Sequence, residues 1–447
     1  MQDFVILGNS GVRTTLEGRM GAPPPVFHLL PGDPPSVLVI EGSRLFEVTP
    51  EFFEALQNNT DQARQELLDL TRIPSNPPRE HRVPPPTALS LNIAQACNLS
   101  CSYCYADQGK FGGRASLMSH DVMRAAVDEL LRNACGQRVT IGFIGGEPFL
   151  NRKVLYAAVE HALTRAREAG ARVGFSITTN GTLLTLEDLD FLRTHAFATS
   201  VSLDGGAAQN DRERHARGES AFELAVQRLG PLLKHPGKAR ITARATITRH
   251  DLRVLERIEA LFAVGFREVG VSPLRTSPVE DLVFGGEDWA VFLGEMIRAA
   301  ETDWQHLRRH GTLRFSNFAI ALKQVHAGYC KPLPCGSAAS YISVSARGDY
   351  FSCHRTVDDP QYRLGNTSDG LSSDLREDFL RARHVDLQQP CSSCWARYLC
   401  GGGCHVEVLR SGRSGCDYIR GWLEYCLRSY NQTLREFPTF FSKGDPS

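Results

Sequence analysis

Cys97-Asn98-Leu99-Ser100-Cys101-Ser102-Tyr103-Cys104 sets three thiols on one short stretch. It follows an apolar, strand-like run at Ala88–Ile93. It precedes an amphipathic helical segment, Asp121–Ala134, which starts after Ser119 and stops at Gly136. Three thiolates on a loop suit three corners of an iron–sulfur cube. A cube has four irons, so one is left open to bind something else. A structural zinc site wants four ligands, and no nearby histidine completes one.

Outward from this loop, strand-like runs recur at Arg138–Ile144, Arg172–Thr178, Thr199–Leu203, Arg240–Ile247 and Glu268–Ser272, with helical segments between them. Six strands in βα alternation imply a parallel sheet or an incomplete barrel, because each crossover is right-handed and helix-covered. Barrel chemistry gathers at the C-terminal ends of the strands, where the cysteine loop falls. From about residue 325 the alternation fades into glycines, cysteines and short runs, up to a final helix near Ile419–Leu434. Upstream, thirteen of the 24 prolines lie in the first 86 residues, and Ile73–Pro86 reads as an extended linker. Before it, Ser36–Ile40 and Arg44–Val48 read as a hairpin around Glu41-Gly42-Ser43. Thr49 caps a helix with Pro50 at its first position, and a second helix runs through Asp61–Leu70. The expected division is a small unit at 1–72, a linker at 73–86, the barrel at 87–324 and a cysteine-rich region at 325–447.

The 447 residues are 42% hydrophobic and 22% charged, a globular composition. Fifty basic residues balance fifty acidic ones, so no global field points to nucleic acid or an anionic membrane. No apolar run is long enough to span a bilayer, and no signal peptide is visible at the N-terminus, so a cytoplasmic location is expected. In that reducing compartment the thirteen cysteines argue for metal rather than crosslinks, since twelve of them fall at 97–104 and 330–426. The thirteenth, Cys135, reads as a buried small hydrophobe.

The spacing Cys97-x3-Cys101-x2-Cys104 after a first barrel strand resembles the radical S-adenosylmethionine (SAM) enzymes. Further features fall in register across roughly residues 88–275. Gly145-Gly146-Glu147-Pro148 is similar to the family motif that holds the methionine amino group. Thr178-Thr179-Asn180-Gly181 follows the third strand. Ser202-Leu203-Asp204-Gly205 ends the fourth, and Arg214 lies twelve residues after Ser202. The resemblance implies a partial (β/α)6 TIM barrel, an α/β fold, with SAM held on the open iron. Tyr103, Gly145, Gly146, Glu147, Pro148, Thr179, Asn180, Ser202, Asp204 and Arg214 become its candidate binding residues. Read singly, the glycines also fit an ordinary tight turn, Tyr103 a core aromatic, and Arg214 a surface salt bridge.

Cys335, Gly348 and Cys353, then Cys391-x2-Cys394-x5-Cys400-x3-Cys404, then Cys416, resemble the SPASM extension of peptide-modifying radical SAM enzymes. That extension carries two auxiliary [4Fe–4S] clusters, which makes three clusters in all. The resemblance gives Cys330, Cys335, Cys353 and Cys404 to the first auxiliary cluster. It gives Cys391, Cys394, Cys400 and Cys416 to the second, with Cys426 as the alternative last ligand. Gly415 before Cys416 marks a helix start, where amide dipoles favour a thiolate. The alternative is a pair of zinc sites.

Within this group, Gly403-Cys404-His405-Val406-Glu407 and Cys416-Asp417-Tyr418-Ile419-Arg420-Gly421-Trp422 are most similar to the quinohemoprotein amine dehydrogenase maturation enzymes. These form thioether crosslinks from cysteine to the methylene carbons of Asp or Glu in a small subunit. The resemblance implies a peptide or small-subunit substrate with a leader, and an electron donor such as flavodoxin or ferredoxin. The N-terminal unit is reminiscent of a peptide-recognition domain, where a leader adds a strand to a free edge; a folding cap is the alternative. Sulfatase-maturing relatives carry Asp after the counterpart of Cys353, and here His354 stands there. Carbon–carbon (cyclophane-type) crosslinking and sulfatase-type Ser or Cys oxidation are the alternative reactions. A non-catalytic cluster-bearing electron carrier or peptide-binding protein is the alternative of another class. Asp349, Asp358 and His354 are neighbours in sequence from which no catalytic base is singled out.

Overall fold

The computed structural model describes residues 25–71, 84–132 and 134–442. Most of the expected linker, residues 73–83, lies outside them. At the N-terminal end, β1 (Phe27–Leu30), β2 (Ser36–Val39) and β3 (Arg44–Glu47) form an antiparallel sheet. β2 and β3 make the hairpin read from sequence, and β1 is an additional strand on its far side. Thr49 caps the helix Pro50–Gln57 through a 3.2 Å bond from the Phe52 N–H, and a second helix spans Asp61–Thr71.

The main sheet begins with β4 (Ala88–Gln95), against whose end the short β5 (Ser116–Leu117) pairs. It continues through β6 (Arg138–Gly145), β7 (Arg172–Thr179), β8 (Ala198–Ser202), β9 (Arg240–Ile247) and β10 (Val269–Pro273). Consecutive members of this set pair in parallel, in the order β4-β6-β7-β8-β9-β10. They coincide with the six runs read from the sequence, apart from small differences at their ends. Helices cover the outer face: Val127, Leu130 and Leu131 of His120–Arg132 and Leu155, Val159 and Ala162 of Arg152–Glu168 join Ile141, Phe143 and Ile177 in one core. The first of these helices ends at Arg132, so Cys135 falls in the following turn and is exposed, not buried as expected.

The cysteine-rich region is not a separate sheet. β11 (Tyr341–Val344) pairs in parallel with β4, and β12 (Asp349–Phe351), β13 (Arg363–Asn366) and β14 (Gly370–Leu371) extend it antiparallel. Two buried polar side chains of β4 make this join specific. Asn92 donates to the Ser343 hydroxyl (2.8 Å) and the Val344 carbonyl (3.1 Å). Gln95 donates to Asp358 (2.7 Å) and accepts from the Ala346 N–H (2.7 Å). The Asn92 amide N–H groups and both polar ends of the Gln95 amide find their partners only in the opposite region, so separating the two would strand them. The final helix, Cys416–Glu436, packs against the helices Asp288–His310 and Ser316–His326 through Tyr418 and Trp422, which stack near Trp289 and Phe318. Its other side carries Leu427, which joins Leu30 and Leu38 of the N-terminal sheet. His28 stacks on Trp395 at 3.9 Å, and Asn431 donates to Ser36 at 2.7 Å, so the N-terminal unit is seated on the C-terminal region.

Among the described residues, no helix is long and apolar enough to cross a membrane.

Candidate active site

The C-terminal ends of the parallel strands open into a cavity of ≈ 300 Å³. Cys97, Cys101 and Cys104 line it from the loop after β4. Gly145 ends β6 and Gly146 follows it, Thr179 ends β7 and Asn180 follows it, and Ser202 ends β8. Thr246, Ser272, Arg275 and Thr276 close the far side. The cysteine loop and the Gly145–Gly146 turn meet backbone to backbone: the Gly146 N–H donates to the Ala94 carbonyl and the Glu147 N–H to the Ala96 carbonyl. Gly145 has φ +146°, and a Cβ at Gly146 would run into the Ala96 carbonyl and approach the Cys97 nitrogen to 2.9 Å. Only glycine allows that approach.

Glu147, Pro148 and Asp204 stand behind the cavity wall, not on it. The Glu147 carboxylate is fully buried and accepts from the Asn180 N–H (2.7 Å), the Thr179 hydroxyl (2.8 Å) and the Phe149 N–H (3.2 Å). It ties the end of β7 to the turn after β6, and Pro148 opens the short turn it caps. Desolvation pushes its pKa up to about 7 despite these donors and Arg152. Its share of stability is therefore present at low pH and is lost as the pH rises through about 7. The ligand-free chain is expected to lose up to ~3 kcal/mol between pH 4.5 and 8 through this group. Thermal melts at pH 5.5 and 8 should show about 2 kcal/mol of that loss, and Glu147→Gln should flatten it; an unchanged pH dependence in the variant would contradict the assignment.

Arg214 is buried rather than superficial, at 8% exposure. It grips Asp204 with two bonds, 2.9 and 3.1 Å, and lies 5.3 Å from the centre of the Tyr103 ring. The Tyr103 hydroxyl donates to the same carboxylate at 2.5 Å, and the Thr246 N–H does so at 2.8 Å. Burial opposes the charge on Arg214, but Asp204 overrides it and keeps the guanidinium protonated. Its Nη1 reaches 4.0 Å from the Cys101 sulfur. Tyr103, Asp204 and Arg214 thus fix the cysteine loop against β8 and β9.

The second cysteine group divides in two. The thiols of Cys353 and Cys404 lie near enough to Cys335 to raise its pKa, which desolvation carries to about 11. Cys391, Cys394, Cys400 and Cys416 surround one another in the same way. Gly401, Gly402 and Gly403 have φ of 73°, 90° and 78°, a left-handed run that turns the chain back between Cys400 and Cys404. Cys330 is not drawn in with Cys335, Cys353 and Cys404: its thiol takes a bond from the Gly42 N–H and its surroundings are Glu41, Asp386 and Arg397. Cys426 is fully buried in the apolar core, among Tyr418 and Tyr425. Cys416→Ala is expected to remove about four irons per chain from the reconstituted protein. Cys426→Ala should keep them and cost only ~1 kcal/mol for the small cavity. Iron analysis of the two variants separates these roles, and the reverse result would reassign the ligand.

Among the described residues, no three His, Cys, Asp or Glu side chains gather around a single-ion point. Desolvation raises Cys97 to about 12 and Cys391 to about 11. Such thiols ionise when a metal supplies the missing positive charge. The donor set and the glycine cradle therefore fit iron–sulfur clusters and a small molecule that approaches the backbone closely.

Three side chains of the cavity carried no role in the sequence reading. Arg275 follows β10, while Arg355 and Glu407 come from the cysteine-rich region. Glu407 stood inside a quoted motif and Arg355 lies two residues after Cys353, but only folding brings them together, and Tyr105 joins them. Of the three neighbours considered as bases, Asp349 pairs with Arg363 (2.8 Å), and Asp358 with Arg347 (2.6 Å) and Gln95. His354 Nδ1 lies 3.9 Å from the Cys353 sulfur.

Comparison with known proteins agrees with this geometry. Residues 91–229 match the model of the radical SAM superfamily. A serine-type anaerobic sulfatase-maturating enzyme of Klebsiella aerogenes is 23% identical over 399 residues, covering 84% of this chain and 93% of its own length. A mycofactocin maturase of Mycobacterium tuberculosis (strain H37Rv) is 25% identical over 348 residues, covering 73% and 80%. The solved structure of anSMEcpe with bound AdoMet superposes with a TM-score of 0.66 at 19% identity, over 80% of this chain and 98% of that one. The fold is thus that of the radical SAM enzymes with a C-terminal cysteine-rich region.

Proposed function

We propose that this chain, a radical SAM protein by its fold and by the superfamily match over its barrel, is a peptide maturase that forms thioether crosslinks. The bonds run from cysteine sulfur to the methylene carbon of Asp or Glu in a small protein subunit or leader-bearing peptide. Cys97, Cys101 and Cys104 would hold the SAM-binding [4Fe–4S] cluster. Cys335, Cys353 and Cys404 would hold one auxiliary cluster, and Cys391, Cys394, Cys400 and Cys416 the other. When bound, SAM and its cluster supply a 5′-deoxyadenosyl radical for hydrogen abstraction. The residues of the chain bind and orient: Gly145, Gly146, Thr179, Asn180 and Ser202 frame the cofactor, and the Tyr103–Asp204–Arg214 group keeps the cysteine loop in place. The observation that carries the reading is that one cavity is lined both by the first cysteine loop and by Arg355 and Glu407, neighbours of Cys353 and Cys404. A substrate there stands between the radical source and a second redox site, as removal of a second electron requires. Two of the relatives are named as maturases, the sulfatase-maturating enzyme and the mycofactocin maturase, which supports a peptide substrate. The N-terminal sheet, whose edge strands β1 and β3 have no further strand beside them among the described residues, suits a leader that adds a strand.

The second reading is sulfatase-type oxidation of Ser or Cys, favoured by the near-complete coverage of the sulfatase-maturating relative. Against it, His354 follows Cys353, where the resemblance to sulfatase-maturing enzymes implies Asp. The test is anaerobic coexpression with a candidate cysteine- and Asp/Glu-bearing precursor peptide, followed by mass measurement with and without thiol alkylation. Loss of two hydrogens for each thiol that disappears, stable to reductant, is the expected result. Loss of two hydrogens with all thiols still free would remove the thioether reading.

A further inference from the structure

Two arginines in the cavity share one carboxylate. Arg355 Nη1 donates to one oxygen of Glu407 at 2.8 Å, and Arg275 Nη1 donates to the other at 2.9 Å. Arg355 also donates to the Thr276 hydroxyl at 2.7 Å, reaches within 3.8 Å of the Cys404 sulfur and lies 5.1 Å from the centre of the Tyr105 ring. Arg275 lies 5.6 Å from the Trp289 ring centre. The Nε of each arginine is buried and has no hydrogen-bond partner. Arg214, the remaining cationic side chain of the lining, is neutralised by Asp204. Two guanidiniums therefore meet one side-chain carboxylate, with the Cys404 sulfur beside one of them and N–H donors left unspent on both. A buried guanidinium left with an unused donor is costly, and a carboxylate is the group its planar fork matches best.

We infer that Arg275 and Arg355 form the recognition site for the side-chain carboxylate of the substrate residue that is modified, with Glu407 as an internal competitor that sets its affinity. The inference rests on the proposed function and deepens it: the two arginines select Asp or Glu over Asn or Gln and hold the methylene carbon in the cavity. Glu407 keeps the pair in place before substrate arrives, and the substrate carboxylate takes guanidinium Nη–H donors that Glu407 and Thr276 leave unused. Arg275 and Arg355 are positioning residues; neither supplies a proton or an electron.

The probes are acetyl-Gly-Asp-Gly-amide and acetyl-Gly-Asn-Gly-amide, titrated into the reconstituted, SAM-loaded full chain and followed by ligand-observed NMR. The Asp probe should bind at least fivefold more tightly than the Asn probe. Arg275→Gln and Arg355→Gln should each erase that preference, and Arg275→Lys should keep part of it. Glu407→Gln should tighten the Asp probe about fivefold, an effect that a merely structural salt bridge would not produce. Equal binding of both probes, a preference that survives both arginine changes, or weaker binding in Glu407→Gln would each overturn the inference. Formation of 5′-deoxyadenosine by the same preparation separates the two levels. Without it the proposed function fails, whereas its presence alongside equal probe binding removes the carboxylate site alone.

Discussion

Cys101→Ala is expected to abolish reductive cleavage of SAM, by about a thousandfold or more, and to lower the iron content by about four atoms per chain. Cys101 is the middle of the three thiols, faces the cavity, and lies 4.0 Å from the Arg214 guanidinium. Desolvation raises its pKa, so its ionisation depends on the metal it binds. Removing one of three thiolates leaves two on a loop that offers no other donor. The auxiliary cysteines are untouched, so their share of the iron should remain. Iron and sulfide analysis, with chromatographic measurement of 5′-deoxyadenosine under dithionite, reads both effects. Full iron content with normal cleavage in the variant would show that this loop is not the radical-generating site.

Gly146→Ala should give the next largest effect, with no change of charge or polarity. The added methyl meets the Ala96 carbonyl and the backbone nitrogen of Cys97. Neither is the end of a flexible side chain, so the turn after β6 and the cysteine loop must move apart. Overpacking of this kind costs ~1–3 kcal/mol. A displacement of about 1 Å at reacting groups costs on the order of a hundredfold in rate. The expected outcome is a lower melting temperature together with a loss of SAM cleavage larger than the stability change explains. Gly294→Ala is the control: it lies in the helix Asp288–His310, a methyl there meets nothing within 4 Å, and helix propensity favours alanine by up to ~1 kcal/mol. Comparable loss of activity in both variants would remove the steric argument.

How much of this was legible beforehand follows from the physics of each feature. Strands β4 and β6–β10 are short apolar runs separated by amphipathic helices, and that periodicity is local. The loop cysteines and the glycines after β6 are local too, because a tight spacing constrains chemistry before any fold is known. Glu147 and Asp204 were assigned to the cofactor from their motif, whereas the structure spends both carboxylates on neighbouring backbone and side chains. Their contacts with Asn180, Thr246 and Tyr103 come from other strands, and sequence order gives no sign of them.

The choice between Cys416 and Cys426 shows the boundary most clearly. Both sit on the final helix and both are compatible with the spacing; burial in an apolar cluster separates them, and burial is a property of packing. Cys330 and Cys135 make the same point in the opposite direction. One is close in sequence to Cys335 yet faces the Gly42 turn, and the other ends a helical pattern yet is exposed.

The sequence by itself therefore determined the βα alternation, the three-thiol loop and the existence of a second cysteine region, since each is written in residue type and short-range spacing. Only the tertiary structure decided that the cysteine-rich region continues the barrel sheet through β11, and that Arg275, Arg355 and Glu407 converge on the cavity. Those residues lie on segments far apart in the chain, and their meeting depends on the buried Asn92 and Gln95 amides finding their partners across the join.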